Sequence, residues 1–321
     1  MKLLVKVTLL GVFLLLMACH QSSKTKSMAS KEMDKQPVER ELKPRIIKVN
    51  GVNLHYVEKG KGNPVVFVHG AFGDYRTFHN QMGDFSHKYR AISYSRRYYH
   101  PNNIPIDSIS DFSKVNIDDL ASFIQSLSTV PVHLVGHSSG AWIALQTTIQ
   151  HPELIKTLTL GEPPAFELLI GDPKRDSIMN IFQTDYQRAI KAYSQNEDKK
   201  GTKLFLEMAT GDAHFFDNLP VFDQKIIMDN IAERKASLLA QSRKADPVPL
   251  HCSDIKNIRV PVLLVGGGES PGWVGYIMDK LEACIENKNR VILPNTTHGL
   301  EYQNPEAFNR AVLQFIGEHE K

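Results

Sequence analysis

The sequence predicts an α/β fold, a mostly parallel central sheet with helices on both faces and an inserted helical cap. Three observations carry this expectation. Short continuous runs rich in β-branched and apolar residues recur at residues 64–68, 130–135, 156–160 and 260–265, as strands buried on both faces require. Helical stretches lie between them: Ile117, Leu120, Ala121, Ile124 and Leu127 keep the three-and-four spacing of one buried face. The strand rhythm then stops over residues 163–257, where helical segments are broken at Gly171-Asp172-Pro173, Thr210-Gly211-Asp212 and Asp246-Pro247.

The remaining elements follow in order. Residues 45–49 and 53–57 alternate about Gly51 and read as an opening antiparallel hairpin. Residues 90–94 form a further strand, and 290–293 a shorter one. Phe308, Val312 and Phe315 mark a terminal helix. In such a sheet the reactive groups sit on loops beyond the carboxyl ends of the strands, so those loops are where chemistry is sought.

The chain has 321 residues, enough for one domain with a sizeable insertion. With 42% hydrophobic and 23% charged residues it is neither disordered nor a multi-span membrane protein in composition. A net charge of +3, with Lys and Arg scattered, provides no basic stripe for a phosphate backbone, which argues against a nucleic-acid partner. No residue spacing suggests a metal site and nothing calls for a cofactor.

Residues 1–19 read as a signal peptide: Lys2 and Lys6 precede an apolar run over residues 7–17. That run is well short of the roughly 20 apolar residues a membrane span needs. Leu16-Met17-Ala18-Cys19 resembles the bacterial lipoprotein signal, which implies lipidation at Cys19 and an exported, membrane-anchored protein of the bacterial cell envelope. Residues 20–44, rich in Ser, Lys, Glu and Gln, read as a flexible tether. The folded domain is then 45–321, with its cap at about 163–257. Cys252 and Cys284 are the remaining thiols and are candidates for a disulfide.

Gly136-His137-Ser138-Ser139-Gly140 directly follows a buried strand and precedes a good helix start at Ala141-Trp142-Ile143. This is the setting of a nucleophile elbow: a strained turn presents the central serine, and glycines two residues either side remove Cβ atoms that would clash. Ser138 is the candidate nucleophile and Ser139 offers a backbone N–H to a developing oxyanion. The second donor belongs to the loop His69-Gly70-Ala71-Phe72-Gly73, with Ala71 N–H the candidate and Phe72 N–H the alternative. His69 itself reads as structural.

A serine hydroxyl needs an imidazole to take its proton, and His298, on a loop after the last strand, has the required position. The imidazole needs a carboxylate, and chain order leaves two, Glu162 and Glu269. The opening hairpin, His69-Gly70, the serine elbow and the terminal His298 together resemble the α/β-hydrolase superfamily over everything after the tether. The resemblance implies an acid after the post-cap strand, where Glu269 stands one residue short of the usual aspartate position near Ser270. Some members, including haloalkane dehalogenases, take it instead from the strand before the cap, and Glu162 in Gly161-Glu162-Pro163-Pro164 matches that place. The chain also resembles a bacterial subset carrying Ser95-Arg96-Arg97-Tyr98, Glu162-Pro163-Pro164 and Ser270-Pro271, which favours Glu162.

Arg96 and Arg97 follow the strand at 90–94 and are candidate substrate contacts. The expected activity is hydrolysis of a small ester, thioester or lactone through an acyl-enzyme on Ser138. Perhydrolase or haloperoxidase-like chemistry, or a ligand-binding protein with little turnover, are the alternatives the resemblance allows. A serine at the nucleophile position disfavours dehalogenation, which uses aspartate there.

Overall fold

The structure is a computed structural model that describes residues 42–102, 104–106, 112–239 and 248–320. Cys19, the signal segment and nearly all of the tether lie outside the described residues, as does the break at Asp246-Pro247. Among the described residues no helix is long and apolar enough to cross a membrane.

The opening hairpin is β1 (Arg45–Val49) and β2 (Val52–Lys59), paired antiparallel, followed by β3 (Pro64–Val68), α1 (His79–Phe85) and β4 (Arg90–Tyr94). Next come α2 (Phe112–Gln125), β5 (Val132–His137), α3 (Ser139–Gln150) and β6 (Ile155–Gly161). After β6, over the segment expected as a cap and so named, lie α4 (Arg175–Ser194), α5 (Asp198–Thr210), α6 (Phe215–Asn218), α7 (Val221–Asp229) and α8 (Ile231–Leu239), and the chain returns through α9 (Cys252–Ile255). The domain closes with β7 (Val262–Gly267), α10 (Gly272–Cys284), β8 (Lys288–Leu293), α11 (Leu300–Gln303) and α12 (Pro305–Glu318).

The sheet has eight strands in the order β1-β2-β4-β3-β5-β6-β7-β8. β2 meets both β1 and β4 antiparallel, and every pairing from β4 to β8 is parallel. Side chains alternate across a strand, so each central strand feeds two cores. In β3, Val66 and Val68 join α2, α3 and α10 on one face, while Val65 and Phe67 join α1 and α12 on the other. Phe67 stacks on Phe78 at 4.8 Å and meets Phe85 edge-on at 5.0 Å. β7 repeats the pattern, with Val262 and Leu264 on the first face and Leu263 and Val265 on the second. This double burial is why these strands read as unbroken apolar runs.

The strand limits differ by one or two residues from the sequence expectation. β5 begins at Val132 and runs on to His137, and β7 runs from Val262 to Gly267, because Pro131 and Pro261 carry no N–H for the ladder. Two predicted cap breaks coincide with left-handed glycines: Gly171 at φ 80° and Gly211 at φ 74°, the latter closing α5. Cys252 and Cys284 form a disulfide that ties the return from the cap to the end of α10.

Candidate active site

The carboxyl ends of β5 and β6 are joined by a hydrogen bond from Ser138 N–H to the Gly161 carbonyl at 2.7 Å, so the residues that follow each strand emerge side by side. Ser138 stands between β5 and α3 at φ 51°, ψ −126°, a conformation a non-glycine residue adopts only under constraint. The flanking glycines permit the close packing that holds it there. A Cβ on Gly140 would lie 2.2 Å from the Val68 carbonyl oxygen, and one on Gly136 would lie 2.6 Å from Ala141 Cα. Glu162, directly after β6, is likewise at positive φ, 45°.

These two residues meet His298. Its Nε2 is 2.9 Å from Ser138 Oγ, and its Nδ1 is 2.7 Å from Glu162 Oε2. An ionised carboxylate only accepts, so Nδ1 carries the proton and Nε2 is left to accept from the serine hydroxyl. The other oxygen, Glu162 Oε1, accepts from Gly267 N–H and Ser270 Oγ–H, both at 2.7 Å. Burial alone would raise the Glu162 carboxyl; bonds from His298, Gly267 and Ser270 outweigh it and hold the group below its ordinary range. A fixed carboxylate, an oriented imidazole and a strained hydroxyl form one line. Such a line can pass a proton from Ser138 to His298 while Glu162 stabilises the resulting imidazolium.

Glu269, the alternative acid, is not part of this line. It lies exposed on the β7–α10 loop, and its neighbour Ser270 instead supports Glu162. The reason is geometric: the carboxylate position against Nδ1 is already filled from β6, and the β7 loop closes over it as donor. Ala71 lines the hollow at Ser138 together with Gly70 and His298. Phe72 stands at φ 61° with its ring buried and edge-on to Phe205 of the cap, 5.3 Å away. Ser139 opens α3, whose first N–H groups lack helical partners.

His69 is buried between the Gly70 carbonyl, 2.8 Å from Nδ1, and Arg96 N–H, which donates to Nε2 at 3.0 Å. Burial and the adjacent Arg96 charge hold its pKa far below that of a free histidine, so it is a neutral brace for the loop bearing Ala71. Arg96 and Arg97 part company. Arg97 turns away into a bidentate pair with Asp119, both bonds 2.7 Å, and does not line the hollow at Ser138. Arg96 does line it, and binds the Gly70 carbonyl, Tyr99 Oη and Ser139 Oγ through Nη2.

Several contributors escaped the sequence reading. His137 donates from Nε2 to the His298 carbonyl at 2.7 Å, and its Nδ1 lies 2.9 Å from Glu301 Oε1. Burial lowers the His137 pKa, but the buried Glu301 charge and these bonds raise it further, to a net upward shift. The available signal was Glu301, three residues after His298 in the chain. Arg234 of α8 and Glu233 beside it reach a cavity of about 300 Å³ next to Ser138, walled by Trp142, Phe166, Phe182 and Trp273. Nothing in the cap sequence marked them.

Residues 65–311 match the Alpha/beta hydrolase family. The chain is 26% identical over 174 residues to "Uncharacterized hydrolase YraK" of Bacillus subtilis (strain 168), a match spanning 53% of this chain and 64% of that protein. Among solved structures, a thermophilic esterase from Thermogutta terrifontis superposes with a TM-score of 0.70 at 17% identity, covering 87% of this chain and all (100%) of that one. The enol-lactonase from Burkholderia xenovorans LB400 gives 0.68 at 17% identity, over 85% of this chain and 100% of its own. At such identities the two structures speak for the fold. With the family matched from β3 into α12 and the eight-stranded sheet in place, the chain belongs to the alpha/beta hydrolase family.

Proposed function

We propose that the protein is a serine hydrolase that cleaves a small ester, thioester or lactone through an acyl-enzyme on Ser138. The observation that carries this reading is the unbroken hydrogen-bonded line from Ser138 Oγ through His298 to Glu162. In the forward step Ser138 Oγ attacks the acyl carbonyl as His298 Nε2 takes its proton, and the N–H groups of Ala71 and Ser139 hold the oxyanion. Collapse of the tetrahedral adduct breaks the bond to the leaving alcohol, thiol or ring oxygen, which receives the proton from His298. Water, deprotonated by the same imidazole, then frees the acid and restores Ser138. The aromatic walls of the adjoining cavity fit an organic substrate of modest size, and the folds shared with an esterase and an enol-lactonase agree with this choice.

A fluorophosphonate probe should label the wild type and fail to label Ser138→Ala. Absence of labelling in the folded wild type would overturn the reading. The N-terminal sequence supports export and lipidation at Cys19; metabolic palmitate incorporation should be lost in Cys19→Ser, and retention of label would place any lipid elsewhere.

A further inference from the structure

The cavity beside Ser138 is lined by two guanidinium groups with unused donors. Arg96 is 3% exposed, yet its bonds go to a carbonyl and two hydroxyls rather than to a carboxylate, and its Nε is buried with no partner. Arg234 reaches the same cavity from the cap, with its guanidinium over the Phe205 ring at 5.2 Å. Its Nε is also buried without a partner, and among the described residues Arg234 makes neither a hydrogen bond nor an ion pair within 4.0 Å. Three carboxyl groups share these walls, and Glu162 is committed to His298, Gly267 and Ser270. Glu233 Oε2 accepts the Tyr99 hydroxyl, and Glu167 is pushed by burial toward its neutral form. Among the described residues neither guanidinium forms an ion pair with any of these three carboxyl groups.

Buried charges are ordinarily paired, because an unpaired one forfeits hydration worth several kcal/mol. Here both groups with unused donors line the cavity next to Ser138, among aromatic side chains, where a substrate would lie. A guanidinium with free donors in such a space matches a carboxylate, which accepts two parallel N–H bonds.

We infer that this cavity is a subsite for a carboxylate carried by the substrate, with Arg234 as its principal contact and Arg96 adding charge beneath it. The ester or lactone cleaved at Ser138 is then one whose molecule bears a separate acid group. This rests on Ser138 as nucleophile only for where the scissile bond lies; anion binding is measurable without turnover.

Both tryptophans of the chain, Trp142 and Trp273, line the cavity, so occupancy reads out in intrinsic fluorescence. Ser138→Ala protein titrated with monomethyl glutarate and with dimethyl glutarate should bind the monoanion at least about 10-fold more tightly, the worth of one charge-assisted contact. Adding Arg234→Met should erase that preference, and Arg234→Lys should keep part of it. In the Ser138 enzyme, Arg234→Met should lower kcat/KM for p-nitrophenyl hydrogen glutarate about 10-fold or more and alter p-nitrophenyl pentanoate less than about threefold. Equal binding of the two glutarates, or a preference that survives Arg234→Met, overturns the inference. Fluorophosphonate labelling without an anion preference leaves the hydrolase standing and removes the subsite; an anion preference without labelling does the reverse.

Discussion

Glu162 and His298 are 136 residues apart in the chain and 2.7 Å apart in space, joined through Oε2 and Nδ1. The carboxylate comes from the strand before the cap and the imidazole from the loop after the last strand. The last residue of β7, Gly267, and Ser270 on the loop after it contribute N–H and Oγ–H to hold the carboxylate from behind.

This arrangement separates the two glutamates. Glu162→Gln keeps the shape but offers Nδ1 the wrong partner, and should lower kcat about 10³- to 10⁴-fold. Glu269→Gln, exposed and away from His298, should stay within about twofold. Steady-state kinetics on a p-nitrophenyl ester decides, and the opposite ranking would move the acid to the β7 loop.

The elbow glycines make a stability prediction of opposite sign to a glycine elsewhere. Gly140→Ala would set a methyl 2.2 Å from the Val68 carbonyl and 2.4 Å from that of His69, so the backbone must shift. A loss of about 1–3 kcal/mol or more and a sharp fall in activity are expected. Gly275→Ala in α10 meets nothing within 4 Å and should gain about 0.5–1 kcal/mol. Urea unfolding of both variants checks the pair.

His133, buried on β5, accepts from Thr157 Oγ1–H and donates to Glu320, each at 2.8 Å, and burial lowers its pKa to about 4. An unfolded histidine titrates near 6.5, so between these values the unfolded chain binds the extra proton. Stability from this group is therefore complete above about pH 6.5, falls by a few kcal/mol as pH drops toward 4, and changes no further below. In His133→Leu the difference in unfolding free energy between pH 7 and pH 4.5 should shrink, whatever its absolute stability. An unchanged difference would assign the acid sensitivity elsewhere, His69 being the next buried histidine held neutral.

The Cys252–Cys284 disulfide closes a loop of 32 residues in sequence separation. Its reduction should cost about 2–4 kcal/mol, seen as a Tm lowered by several degrees. A Cys252→Ser/Cys284→Ser protein should be indifferent to reductant, and a wild type equally indifferent would mean that the bridge adds nothing to stability.

The parallel strands were legible because each is buried on both faces and so reads as an unbroken apolar run. Their ends were not, since a proline removes a donor without breaking the run, as at Pro131 and Pro261. The elbow at Ser138 and the place of His298 were also legible: a tight turn demands glycines at fixed offsets, and chain order fixes which loop follows the last strand. Choosing between Glu162 and Glu269 was beyond residue spacing, since both end a strand beside the same loop and only packing decides which side chain turns inward.

By itself, then, the sequence determined the sheet, the turn at Ser138 and the loop that carries His298, all of which depend on local pattern and chain order. The tertiary structure alone decided that Glu162 is fixed by Gly267 and Ser270, that Arg97 is spent on Asp119, and that Arg96 and Arg234 face one cavity. Those are contacts between segments 22 to 138 residues apart, and such distances leave no periodic trace.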